Sequence, residues 1–171
     1  MRHQPLPSLD RLYDLFRPNF MTGELFCRTQ RGNRKVGEAA GFPTHDGRYL
    51  VIGIDGKRYF FHRVMYALYH GVDPGDMEVD HMDQDTSDNR VANLRLATRA
   101  QNGQNTRGYR KGLKGAYLSF KGQPKEWMAT INKDGVRYYL GSFYTEQEAH
   151  EAYVKASALH HGEFGRTETK H

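Results

Sequence analysis

Four residues carry types and spacings that could do chemistry together. Asp80 and His81 are adjacent, Asn93 follows His81 by 12 residues, and Asn102 follows it by 21. A carboxylate with an amide oxygen is a hard-oxygen set. It suits Mg²⁺, at ~2.0–2.1 Å with several retained waters, better than zinc. An imidazole with an ordinary pKa near ~6.5 can take a proton from water near neutral pH. A cation beside it can hold a phosphate oxygen and stabilise a leaving 3′ oxygen. Together these groups would hydrolyse a phosphodiester. The plain structural reading is a turn-rich loop in which Asp83, Asp85, Asp88 and Asn89 are solvated turn formers. A calcium loop fits poorly, because Asp83–Asp88 lacks the sixth-position Gly and the later Glu of an EF-hand.

The elements that must position these groups can be read from pattern. Glu78–His81 and Asn93–Ala97 read as strands flanking a polar loop. A short helix follows, started by a Thr98-x-x-Gln101 capping box, and Asn102 falls in its first turn. Upstream, Tyr49–Ile54 and Arg58–Phe61 read as strands joined at Asp55-Gly56, a strong hairpin signal. A helix over His62–His70 stops at Gly71. Near the start, Ser8 caps a helix with Leu9, Leu12, Tyr13 and Phe16 on one face, ended by Pro18, and Glu24–Arg28 is a strand. After residue 113 come three strands, at about 115–120, 126–132 and 136–142. A helix capped by Thr145 and Glu148 then places Ala149, Ala152, Tyr153, Ala156 and Leu159 on one face.

Composition bounds what these elements can build. The chain has 171 residues, 37% of them hydrophobic, with 18 glycines. That favours several short elements over one large core. A single cysteine, Cys27, read as an inert buried thiol, excludes a disulfide framework and a multi-cysteine zinc site. No stretch approaches the ~20 apolar residues of a membrane span, and no apolar run follows Met1–Pro5. No membrane partner and a cytoplasmic location, that of a host cell if a phage encodes the chain, are expected. The net charge is +5, and Arg107, Arg110, Lys111, Lys114, Lys121 and Lys125 occur with no acid among them. Such a run, interleaved with Tyr109, Tyr117 and Phe120, suits a polyanion or a solvated linker. Arg28, Arg31, Arg34, Lys35, Lys57 and Arg58 could track a nucleic-acid backbone on charge alone.

His62-Arg63, Val79-Asp80-His81-Met82-Asp83, Asp88-Asn89-Arg90-Val91-Ala92-Asn93-Leu94-Arg95 and Asn102-x-x-Asn105 resemble the HNH homing endonucleases of phages. The resemblance implies an α+β fold with a ββα-metal (His-Me finger) core. It implies His81 as general base, with Asp80 and Asn102 as metal ligands. Asn93 would hold the loop that aims His81, and Asn105 would assist or touch DNA. His62 would be a structural cap or a phosphate contact, with Arg63 beside it on DNA. Ligand positions held by Asp and Asn, where the colicin-like branch has histidine, imply Mg²⁺, replaceable by Mn²⁺. Products would carry 5′-phosphate and 3′-hydroxyl ends. One site cuts one strand, so a nick or a double-strand break would depend on dimerisation or rebinding. A monomer is expected, with a dimer on DNA left open.

Gly115-Ala116-Tyr117, Glu126–Ile131, Tyr139-Leu140-Gly141-Ser142-Phe143, Thr145-x-x-Glu148-Ala149 and Ala152-Tyr153 resemble the plant Apetala-two/ethylene-response-factor DNA-binding domain. The resemblance implies a three-stranded antiparallel sheet in a major groove, packed on one helix, with contacts from Lys114, Tyr117, Ser119, Asn132, Arg137 and Tyr139. Lys114 and Tyr117 stand where the plant domain has Arg. Alternation within the second strand independently puts Trp127, Ala129 and Ile131 inward. The expected order is an N-terminal lead-in with a hairpin (1–61), a nuclease core (62–105), a basic linker (106–113), the DNA-binding domain (114–165) and a tail (166–171). The whole reads as a site-specific, metal-dependent endonuclease acting on double-stranded DNA. The rivals are a DNA-binding regulator with a vestigial nuclease core, and an RNA-directed or structural metal protein.

Overall fold

The computed structural model describes residues 4–105, 112–119, 122 and 124–167. The chain separates into two compact units, Met1–Thr98 and Arg99–His171.

The first unit opens with α1 (Leu9–Leu15), capped by the Ser8 hydroxyl, which accepts from the Arg11 N–H. Pro18 does not end this helix. The chain leaves it at Phe16 and pairs β1 (Phe16–Asn19) antiparallel with β2 (Glu24–Cys27), Pro18 lying opposite Leu25. A proline is tolerated there because a two-stranded sheet consists of edges. The helix buries Leu12 and Leu15 and leaves Tyr13 partly exposed, its hydroxyl donating to the Leu68 carbonyl. A three-stranded sheet follows, in the order β3 (Phe42–Pro43), β4 (Leu50–Ile54), β5 (Lys57–Phe60). Asp55 and Gly56 turn β4 into β5 with φ of 48° and 78°, the positive values a two-residue hairpin requires.

Next comes α2 (Phe61–His70), which ends at Gly71 in the left-handed conformation. Its N-cap is Phe60 and not His62, which lies inside the helix and is buried. The hairpin of β6 (Glu78–His81) and β7 (Leu94–Ala97) closes the unit, with a 3-10 turn at Val91–Asn93 before β7. Leu12, Leu15, Phe16, Leu25, Ile52, Ile54, Phe61, Val64, Met65, Leu68, Val79 and Leu94 form one buried cluster. Residues ahead of position 62 therefore supply about half of the core on which the β6–β7 hairpin rests. Cys27 is buried beside them.

The second unit starts with α3 (Arg99–Asn105). Its sheet runs β10 (Val136–Phe143), β9 (Trp127–Lys133), β8 (Ala116–Leu118), all antiparallel. Asp134 and Gly135 make the turn, at φ of 51° and 79°. The helix α4 (Glu146–His161) begins with the full Thr145–Glu148 capping box. It buries Ala149, Tyr153, Ser157 and His161, a strict every-fourth-residue stripe. The expected face through Leu159 is wrong, since Leu159 is 79% exposed. Serine and histidine hold the last turns instead of alanine and leucine. His161 Nε2 lies 2.8 Å from the Asn132 carbonyl and its Nδ1 lies 3.4 Å from the Ser157 hydroxyl.

Candidate active site and nucleic-acid face

Adjacent residues on a strand point to opposite faces, so β6 sends Asp80 and His81 apart. Asp80 lies opposite Arg95 in the β6–β7 register. Its Oδ2 accepts from Arg95 Nε at 3.1 Å and Nη2 at 3.0 Å, and both side chains are largely buried. His81, opposite Leu94, is 4% exposed.

Two aromatic rings pack against the His81 imidazole. His62 meets it edge-on with ring centroids 4.9 Å apart, and Tyr49 lies 6.4 Å away. His62 is itself stacked on Phe60 at 5.4 Å. Burial pushes the His81 pKa below the ordinary imidazole value; its contact with Asn89 and the charges of Asp80, Asp83 and Asp88 push the other way. Burial dominates because a charged ring would lose its water. The ring is therefore neutral, and basic, at neutral pH.

Asn93 locks the loop between the two strands. Its Nδ2 donates to Asp83 Oδ1 at 2.9 Å and to the Asp88 carbonyl at 3.0 Å. Its Oδ1 accepts the Asp83 N–H at 3.1 Å, and its carbonyl accepts the Met82 N–H. The acids turn the chain between these ties. Asp83 accepts from the Asp85 N–H, Asp85 from the Ser87 N–H, and Asp88 from Arg90. Asn89 was missed as a site residue, because in sequence it is one polar residue in a turn. It is 3% exposed, with Oδ1 3.3 Å from His81 Nε2.

Asn102 lies in the middle of α3, and Asn105 ends that helix, buried at 3% exposure. Burial removes Asn105 from the exposed contacts expected of a DNA ligand. Among the described residues no three His, Cys, Asp or Glu side chains converge as a metal cluster. Asp80, in the first unit, and Asn102, in the second, each carry a hard oxygen, the donor type that Mg²⁺ or Mn²⁺ takes.

Several basic residues expected on nucleic acid are spent inside the fold. Arg63 is 4% exposed; it donates to the Met77 carbonyl at 2.6 Å and the Gly75 carbonyl at 2.8 Å, with Asp73 at 3.6 Å. Lys114 Nζ donates to the carbonyls of Gln104 at 3.1 Å and Arg166 at 2.6 Å, while its own carbonyl lies 2.8 Å from His150 Nδ1. Arg28, Arg31 and Arg34 also bind carbonyls, those of Phe16, Gly53 and Ala39 with Gly41, although Arg28 stays exposed and Arg31 and Arg34 are half-buried. A guanidinium or ammonium that answers backbone carbonyls serves the fold's own hydrogen bonding.

The remaining candidates divide. Strand register puts Tyr117 opposite Met128, Asn132 opposite Arg137 and Thr130 opposite Tyr139, so these side chains share one sheet face. Arg137, Asn132 and Tyr139 are exposed. With Arg99, Gly103 and Gln104 of α3, part of this face lines a hollow of about 410 Å³. Part of this surface is therefore concave. Ser119 follows β8, its N–H bonded to the Glu126 carbonyl. Lys125 lies over the Tyr144 ring at 5.3 Å. Arg107, Arg110 and Lys111 lie outside the described residues. No described helix is long and apolar enough to cross a membrane.

No solved structure matches the chain significantly. It is 33% identical over 116 residues to an uncharacterized HNH endonuclease of Acanthamoeba polyphaga mimivirus. The alignment covers 66% of this chain and 59% of that protein, so the chain spans about three fifths of its relative's length. Residues 59–104, from β5 through the Asp80–His81 strand and its Asn93 loop to Asn102, match the family model described as HNH endonuclease. Over those residues the chain is similar to HNH endonucleases.

Proposed function

We propose that the protein is a metal-dependent, site-specific DNA endonuclease in which His81 is the general base. The observation that carries this reading is a buried imidazole at the end of β6, where the following loop is closed by Asn93, all within the HNH-matching segment.

In this reading Asp80 and Asn102 hold a divalent cation, Mg²⁺ or Mn²⁺. When bound, the ion supplies positive charge to the scissile phosphate and the departing 3′ oxygen. Arg95 fixes the Asp80 carboxylate through Oδ2, which sets its orientation. His81 withdraws a proton from water, the resulting hydroxide attacks phosphorus, and the bond to the 3′ oxygen breaks. The ends are a 5′-phosphate and a 3′-hydroxyl. Tyr49 and His62 pack against the His81 ring and hold it in place.

The C-terminal unit reads duplex DNA, like the Apetala-two domain that its strand and helix pattern resembles. Arg137, Asn132, Tyr139 and Tyr117 supply contacts from one sheet face, with Ser119, Lys125 and the 106–113 segment alongside. Phosphate contacts would make affinity salt-dependent, and side chains on the sheet would give sequence preference. The rival reading, a DNA-binding regulator with an inert core, draws on Arg95 already holding Asp80. It predicts binding without cleavage.

Supercoiled plasmid with Mg²⁺ decides between them. The wild type is expected to nick or cut it, EDTA to stop the reaction, and His81→Ala to bind equally but cleave at least ~10²-fold slower. Equal cleavage by the variant would remove His81 from the mechanism.

A further inference from the structure

We propose that Asn89 is a positioning residue for His81: its side-chain carbonyl holds the proton on Nε2 and so leaves the basic lone pair on Nδ1. The inference rests on the reading of His81 as general base.

The amide of Asn89 is oriented by its own second contact. Nδ2 donates to the Ser87 carbonyl at 3.1 Å. An amide rotated by half a turn would point its oxygen at that carbonyl, so Oδ1 must face the imidazole. Oδ1 lies 3.3 Å from His81 Nε2 and can only accept. Nε2 therefore carries the hydrogen, and the neutral ring has its lone pair on Nδ1. Both partners are buried, at 3% and 4% exposure, so water competes little for the bond. His62, edge-on at 4.9 Å, limits rotation of the same ring.

The backbone beneath Asn89 is fixed independently. Gly23, in the turn between β1 and β2, has φ +74° and packs directly on this loop. A Cβ at residue 23 would lie 2.7 Å from the Asn89 carbonyl carbon and 2.6 Å from the Arg90 nitrogen. On the other side Arg90 grips Asp88 through Nε and Nη2. The amide is thus presented by a seated loop.

The consequence for the reaction is specific. The proton leaving water arrives at Nδ1, and the ring becomes an imidazolium whose Nε2–H still points at Asn89 Oδ1. The water oxygen, now hydroxide, forms the new bond to phosphorus; the bond from phosphorus to the 3′ oxygen breaks, and that oxygen takes a proton from solvent.

The test reads the proton directly. Two-bond ¹⁵N–¹H correlation spectra of histidine-labelled full-length protein are expected to show His81 as the Nε2–H form in the wild type. Asn89→Leu is expected to give a mixed or Nδ1–H ring, and to lower kcat for plasmid cleavage about 10–100-fold, the usual cost of losing such a support, with KM unchanged. Asn89→Asp, which keeps the acceptor, is expected to restore the Nε2–H form. A wild-type ring protonated on Nδ1, or an Asn89→Leu protein with unchanged tautomer and kcat, overturns the proposal. A wild type that shows the Nε2–H signature yet never cleaves DNA would count against the nuclease reading and leave the Asn89 contact standing.

Discussion

The N-terminal unit is held by a continuous cluster of large apolar side chains drawn from both helices and all three of its sheets. The C-terminal unit buries little of that kind. Its interior is Ala129, Ile131, Ala149, Tyr153 and Phe164, completed by Ser157 and His161 with their hydrogen bonds. Arg63 in the first unit and Lys114 in the second each answer two backbone carbonyls, but with different chemistry. Arg63 offers a planar fork that stays charged, whereas Lys114 is a compact ammonium whose charge yields to burial. Burial, with Arg166 nearby, brings the Lys114 pKa down to about 8. The difference teaches that a unit rich in apolar burial can carry a permanent interior charge, while the leaner unit carries one that can be given up.

Substituting the two cations breaks or sharpens this contrast. The largest effect is expected from Arg63→Met, which orphans the Met77 and Gly75 carbonyls. It should cost the N-terminal unit about 2–3 kcal/mol, read by amide exchange in α2 under urea. Unchanged stability with weakened duplex binding would instead make Arg63 a phosphate ligand.

The second effect is a pair of pH dependences of the same sign in different windows. His81 has a lowered folded-state pKa. As pH falls below the ordinary imidazole range, the unfolded chain gains a proton that the folded chain resists, and the N-terminal unit should weaken. Lys114 is also lowered, from 10.5 to about 8. Between those values only the unfolded chain holds the proton, so the C-terminal unit should gain stability as pH rises through that window. Exchange rates measured in α2 and α4 across pH check both signs. Lys114→Met should flatten only the alkaline rise.

Smaller still, Arg137→Ala should weaken duplex binding and reduce the slope of log affinity against log salt by about one; an unchanged slope would remove Arg137 from the proposed DNA face. The smallest effect is expected from Leu159→Lys, within about 0.5 kcal/mol in a denaturant melt because the side chain is exposed. A large loss there would restore the face expected from sequence.

Local signals were legible where backbone chemistry dictates them. Asp55-Gly56 and Asp134-Gly135 both adopt the positive φ their turns need, and Thr145 with Glu148 forms its capping box. Asn93 ties the loop between β6 and β7, the place the family resemblance implied for it. What could not be read was which side chains face each other across distance. Arg63, Lys114, Arg28, Arg31 and Arg34 look alike in sequence whether they meet phosphate or carbonyl oxygen. The α4 stripe misled because Ser157 and His161 are polar, and only the Asn132 carbonyl opposite makes their burial favourable. Asn89 lacked any periodic signature, and its contact with His81 arises only from the fold bringing the two together.

The close seat of Gly23 on the Asn89–Arg90 backbone has an evolutionary corollary. A segment recognisable from residue 59 onward leans on a turn thirty-odd positions earlier that no motif records. Recombination that grafts the recognisable portion onto another leader would have to import a bare alpha-carbon at the matching spot, or inherit a loop whose asparagine no longer meets its histidine.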